Sequence, residues 1–252
     1  MKRMITLPLI AFGLLVLGMA GAARDSVTAA ATALGKAANY TWQTLQDFGP
    51  NSQYQTDGKT EKDGFTVVSM NIMSNTFGFV RKGTNFVIQL PDSGWQTVAE
   101  ATQASRGGLG SGDRGPGMII PTVATLQLPA VEVTNLIALA SDWKVEGEKI
   151  TGTLTEDGAK AILGDRGRRN GWESAPRGTG GSGLQAFASN AKGTVTFWVA
   201  DGVLTKYQTH ITGSMDYGLG KSTGVDRTKT VTVKDVGTTK VVVPDDARKQ
   251  LP

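Results

Sequence analysis

The last third of the chain alternates. In Thr194-Val195-Thr196-Phe197 polar and apolar side chains take turns ahead of Trp198-Val199, Asp201-Gly202 follows, and residues 203–212 return as the partner strand. A period of two sets one side of a strand on a core and the other in water, and Asp-Gly suits a two-residue hairpin turn. A chain with this signal must build an antiparallel sheet over a one-sided core. The same period returns upstream, over 40–45 and over 65–72 after Asp63-Gly64. Residues 77–81 and 86–90 flank Lys82-Gly83-Thr84-Asn85 as a further hairpin. A short strand is predicted at 95–99, and a hairpin over 143–145 and 150–154 around the turn 146–149. Residues 228–234 and 240–243 are expected to finish the sheet.

Helical spacing is scarcer. Asp25-Ser26 is expected to cap a helix over 27–38, with Val27, Ala30, Ala31, Leu34, Ala37 and Ala38 on one small-residue face. Pro121 and Pro129 each suit the first position of a short helix. In the second, Val133, Leu136, Ile137 and Ala140 form an apolar stripe. Thr155 can cap a helix over 156–163, with two acids at its start and Gly164 at its C-cap. No strand–helix–strand alternation is visible, so a doubly wound parallel fold is not expected. The predicted class is α+β, mostly antiparallel β.

Glycine accounts for 33 of 252 residues, and two stretches concentrate it. Residues 105–117 hold six glycines. Residues 164–183 hold seven, with Arg166, Arg168, Arg169 and Arg177. Both read as flexible loops inserted into one domain covering 23–252. The arginine-bearing loop reads as a solvated segment, with contact to anionic lipid head groups as its alternative.

The N-terminus carries Lys2 and Arg3, then an apolar run from Met4 to Gly18, then Ala20-Gly21-Ala22. Those parts are the three regions of a secretory signal peptide, expected at 1–22. A spanning helix needs roughly 20 apolar residues, more than this run offers. Cleavage after Ala22 lowers the net charge from +4 to +2. The expected location is periplasmic or secreted, with no lipobox cysteine to carry a lipid anchor.

Composition removes much chemistry. The chain has no cysteine and one histidine. Disulfides, cysteine nucleophiles, cysteine zinc sites and paired-histidine metal motifs are therefore unavailable. The charge balance is too mild for a dedicated nucleic-acid binder. Two Gly-x-Gly-x-x-Gly matches, at 110–115 and 178–183, lack the strand–turn–helix setting that gives the motif force. Gly220-Lys221-Ser222 has Met215 where a phosphate loop needs glycine. His210 has Asp216 and Asp226 as possible partners and Ser214 or Ser222 as possible nucleophiles, but no nucleophile elbow is present. It reads as a solvated strand histidine. The Asn39-Tyr40-Thr41 glycosylation sequon enters a strand expected to be buried. No catalytic residue, metal or cofactor is expected.

What remains is apolar surface. Tyr40 and Trp42, Phe86, Ile88 and Leu90, and Val195, Phe197 and Val199 each share one strand face. Leu126, Leu128, Val133, Leu136 and Ile137 lie on short helical segments. One reading is a sheet whose core the helices complete. The other is a curved sheet too deep for those helices to fill, leaving an apolar pocket under a movable lid.

The order of elements resembles a known group. A small-residue helix runs into Tyr40-Thr41-Trp42, and a meander of strands follows. Next come Leu126, Leu128, Leu136 and Leu139, the Trp143–Leu154 hairpin, the 155–163 helix, and Val195-x-Phe197-Trp198-Val199-x-Asp201-Gly202. This resembles the LolA periplasmic lipoprotein carriers and the LppX/LprG lipoproteins. The resemblance implies an open half-barrel around an apolar cavity with short lid helices, and a cargo of lipid acyl chains or acylated protein. It implies a role in outer-membrane lipoprotein sorting or lipid binding. The residues that would line such a cavity here are Tyr40, Trp42, Met70, Phe86, Ile88, Leu90, Leu136, Ile137, Phe197 and Tyr207. An envelope protein partner, as for a sensor or scaffold without lipid cargo, is the alternative, and a monomer is expected. The sequence departs from the group in lacking the lipobox cysteine of LppX and LprG and in its two glycine-rich insertions. No LolA-type functional arginine can be placed.

Overall fold

The computed structural model describes residues 12–47, 53–72, 75–90, 94–107, 120, 123–169, 187–216 and 222–251. Eleven strands form one sheet. In chain order they are β1 (Asn39–Asp47), β2 (Gln53–Glu61), β3 (Phe65–Ile72), β4 (Asn75–Lys82), β5 (Asn85–Leu90), β6 (Gly94–Thr97), β7 (Ala140–Glu146), β8 (Lys149–Leu154), β9 (Phe187–Ala200), β10 (Val203–Asp216) and β11 (Ser222–Lys234). Their order across the sheet is β6-β5-β4-β3-β2-β1-β11-β10-β9-β8-β7. Strands β6 and β7 are the two edges, so the sheet is not closed into a barrel, and neighbouring strands pair antiparallel throughout. The predicted class and open architecture are those observed.

Among the described residues these helices accompany the sheet: α1 (Phe12–Lys36), α2 (Val98–Gly107), α3 (Pro129–Ala138), α4 (Glu156–Arg169) and α5 (Asp245–Gln250). The register assigns each strand residue to a face. Odd positions of β9 and even positions of β1, β3 and β5 lie on the inner side, which holds one contiguous core. That core runs from Ile88 and Leu90 on β5 to Ile150 and Leu154 on β8 and takes in α1 and α3. Nine strands laid flat would span roughly 40 Å, whereas a helix covers about 10 Å. The sheet must curl around its helices to give one core.

The outer side has its own small cluster. Val80, Val87, Val243 and Ala247 are buried there, with Phe65, Val67, Trp95, Val241 and Leu251 against them. Helix α5 and the segment before it therefore cap the outside of β5 and β6. Lys82 and Arg248 both stand over the Phe65 ring, at 5.3 and 5.5 Å.

The three hairpins read at turns that carry glycine are present, with Gly83 (φ 59°) turning β4 into β5. Asp201 and Gly202 both take positive φ, at 51° and 76°, as a two-residue turn matching strand twist requires. Gly147 (φ 63°) turns β7 into β8.

Several boundaries differ from expectation. The first helix begins at Phe12, and Asp25 and Ser26 are exposed residues inside it rather than its cap. Leu, Ala and Met upstream are good helix formers and carry the helix through. Strand β2 escapes the period-two reading because Asp57-Gly58 looks like a turn. Gly58 is instead a contact: a Cβ there would lie 2.1 Å from Trp42 Cε2. The residues after Thr97 form α2 instead of extending the strand to residue 99 and opening a loop at 105. Thr97-Val98-Ala99-Glu100 is a capping box, with Glu100 N–H donating to Thr97 Oγ1 (3.3 Å) and Thr97 N–H to Glu100 Oε2 (2.8 Å). Helix α4 runs past Gly164, so Gly164 is no C-cap. Residues 240–243 pair with no strand, and Val243 is buried on the outer cluster, which explains their alternation. Pro121, Arg177, both Gly-x-Gly-x-x-Gly stretches and residues 1–11 of the apolar leader lie outside the described residues.

Candidate functional site

All ten sequence candidates converge on the inner side. Tyr40 and Trp42 come from β1, Met70 from β3, Phe86, Ile88 and Leu90 from β5, Phe197 from β9, Tyr207 from β10, and Leu136 and Ile137 from α3. Nine are buried in the one core cluster and Phe86 is half-buried against it. The face is closed. Trp143 stacks on Phe197 with centroids 6.0 Å apart, and Phe197 tilts on Tyr207 at 6.4 Å. Trp42 donates from Nε1 to Thr60 Oγ1 at 3.1 Å, satisfying its only polar atom. Sequence reading passed over Phe77 and Phe79, which are equally buried here. Their i, i+2 spacing was the available signal.

Helices α1 and α3 roof this face differently. Val27, Ala30, Ala31 and Leu34 of α1 are buried. These small residues let the helix lie close on β7, β9 and β10. Helix α3 lies against α1, where Gly35 faces Ala130. Pro129 stands at its start, as expected, and Val131 and Glu132 N–H donate to Leu128 O at 3.0 Å.

Polar groups tie α3 to the sheet. Lys229 on β11 donates from Nζ to both carboxylate oxygens of Glu132, at 2.6 and 2.7 Å. The Tyr207 hydroxyl donates to Glu132 Oε2 at 2.8 Å. Burial, and secondly the Glu132 charge, push the Tyr207 phenol well above its ordinary pKa. Burial pushes Tyr40 up to about 12. Just before α3, Arg81 donates from Nη1 to Leu126 O at 3.4 Å and from Nε to Gly83 O at 2.7 Å. None of Glu132, Lys229 or Arg81 was a sequence candidate. Glu132 reads as an ordinary first-turn acid, and a single Lys or Arg in a strand reads as solvent-facing.

Two hollows open elsewhere. One, about 630 Å³, lies around His210, Thr194, Thr153, Thr212, Lys192 and Glu156. His210 faces outward and its Nε2 lies 2.9 Å from Asp226 Oδ1, with both side chains exposed. Neither Ser214 nor Ser222 lines that hollow. The second, about 300 Å³, lies between Ala22, Ala23 and Ser26 of α1 and the β7–β8 hairpin. Among the described residues no cluster of three or more His, Asp or Glu side chains could hold a metal ion, and no helix is long and apolar enough to cross a membrane. Asn39 of the sequon begins β1 with its Oδ1 buried.

The sequence matches no protein-family model and no curated protein. The structure is similar to lipoprotein LppX from Mycobacterium tuberculosis, 13% identical, with a TM-score of 0.43 over 88% of this chain and 99% of the other. It is similar to LprF from Mycobacterium bovis, also 13% identical, with a TM-score of 0.44 over 90% and 98%. A LolA superfamily protein from Nitrosomonas europaea aligns at 9% identity with a TM-score of 0.29, over 90% and 96%.

Proposed function

We propose that this chain is an exported, non-enzymatic binding protein that holds an acyl chain or another apolar ligand between the inner side of its sheet and α3. Residues 1–22 serve as its signal peptide, and the mature protein works in the periplasm or outside the cell. One observation carries the reading. A continuous apolar wall with four large aromatic residues (Trp42, Phe79, Phe197 and Tyr207) is roofed in part by a ten-residue helix tied down through Glu132 and Arg81. The closed form is the ligand-free state. Lifting α3 withdraws Val133, Leu136 and Ile137 from the wall, and a hydrocarbon chain replaces them. Burying such a chain contributes about 0.8 kcal/mol per CH₂, so no catalytic group is needed for tight binding. The resemblance seen in the sequence implies the same class of cargo.

Native mass spectrometry of protein purified without detergent tests this. An apolar adduct that survives desalting and leaves on denaturation is the expected result. A bare mass, together with no change in Trp fluorescence on adding hexadecanoate, would overturn it.

A second reading rests on the closed interior itself. A core already filled by its own side chains suits an envelope module that binds a protein partner and no lipid. It predicts the bare mass, and a partner whose capture does not depend on α3 opening.

A further inference from the structure

The inner face carries charge of one sign. Register places Arg81 on β4 and Arg227 and Lys229 on β11 facing inward. The acids of β1, β2 and β10 (Asp47, Asp57, Glu61 and Asp216) all fall on outward positions. Glu132 brings the counter-charge from α3. Its carboxylate takes three donations, two from Lys229 Nζ and one from the Tyr207 hydroxyl, with all donors fixed on adjacent strands of the sheet. A cation on an apolar wall is costly without a partner. When α3 lifts, Glu132 leaves with it, while Lys229 and Tyr207 remain on the wall.

We infer that Glu132 fills, from within the chain, a binding site for the oxyanion end of an amphipathic ligand. This rests on the apolar-ligand reading above and adds the head group to it. Lys229 and Tyr207 would grip a carboxylate or phosphate at the end of the hydrocarbon chain that displaces α3. Charge-assisted hydrogen bonds of this kind are about twice as strong as neutral ones, so ligands of equal length should be sorted by their head groups.

Trp42 and Trp143 on the inner side give a fluorescence readout of binding by the purified full chain. Hexadecanoate, its methyl ester and monohexadecyl phosphate are titrated in turn. The expected result is at least about ten-fold tighter binding of the two anions than of the ester. Lys229→Met should abolish that preference, with the ester bound no more weakly than by the parent, because the same change loosens α3. Lys229→Arg should retain the preference. Glu132→Gln, which loosens α3 by removing its charge tie to Lys229, should tighten all three ligands and keep the preference for the anions. Tighter binding of the phosphate marks a phospholipid as the source, and tighter binding of the carboxylate marks a free fatty acid; either supports the site. Equal affinity for acid and ester overturns the inference alone. A preference that survives Lys229→Met in a protein with an unchanged melting curve does the same. Binding of none of the three overturns the apolar-ligand reading with it.

Discussion

Helices α1 and α3 cover the same face by opposite means. Helix α1 touches the core through Val27, Ala30, Ala31 and Leu34, close against the strands. Helix α3 has ten residues, packs on α1, buries Val133, Leu136 and Ile137 in the core, and adds a charge tie to the sheet through Glu132. Close packing of small apolar residues has one good arrangement and resists sliding. A charge pair has a second arrangement available, because each partner can pair with something else. On the proposed reading α1 belongs to the permanent fold and α3 is the segment that leaves.

That contrast can be broken by like-for-like truncation. Leu34→Ala in α1 should cost about 3 kcal/mol in denaturant unfolding. Leu136→Ala in α3 removes the same group, but its cost is capped by the free energy with which α3 docks. It should read at most about half as much, because the chain can release α3 without unfolding. Equal losses would mean that both helices belong to one cooperative unit.

Next in size is alkaline pH. Tyr40 titrates near about 12 in the fold against its ordinary 10.0. The folded state holds this proton more tightly than the unfolded chain does. Stability is therefore fully present below pH 10 and declines as pH rises from 10 towards 12. Tyr207 shifts in the same direction. Urea midpoints across that range should fall for the parent and fall less steeply for Tyr40→Phe.

A third test takes the polar tie alone. Glu132→Ala leaves Lys229 and Tyr207 without their acceptor, at a cost of about 1–3 kcal/mol to α3 docking. Amide exchange over 129–138 should quicken at least ten-fold while α1 keeps its rate. Arg81→Met should be smallest. Its bond to Leu126 O is long and worth under about 1 kcal/mol, so exchange quickens only over 123–128.

Much of the sheet was legible from residues alone. Asp201-Gly202 and Gly83 mark turns because their backbone must take positive φ, and the alternation of threonine with Val195 and Phe197 assigns those two to one face. Inner-face candidates followed from the same alternation, and all of them reached one core. What escaped depended on partners distant in sequence. Gly58 is glycine because Trp42 lies over it, a fact of β1–β2 pairing. Lys229 faces inward only because β11 pairs with β1 and β10 in a register that no local pattern specifies. Glu132 meets it across 97 residues of chain. Thr97 and Glu100, by contrast, held a readable helix start that the period-two pattern of Trp95 and Thr97 obscured.

Hydrogen–deuterium exchange of the purified protein, with and without hexadecanoate, tests the removable roof most directly. The account predicts that 129–138 exchanges faster than 23–36 in the free protein, and that adding the ligand changes exchange over 129–138 alone. Protection of both helices to the same degree, unchanged by the ligand, would contradict it.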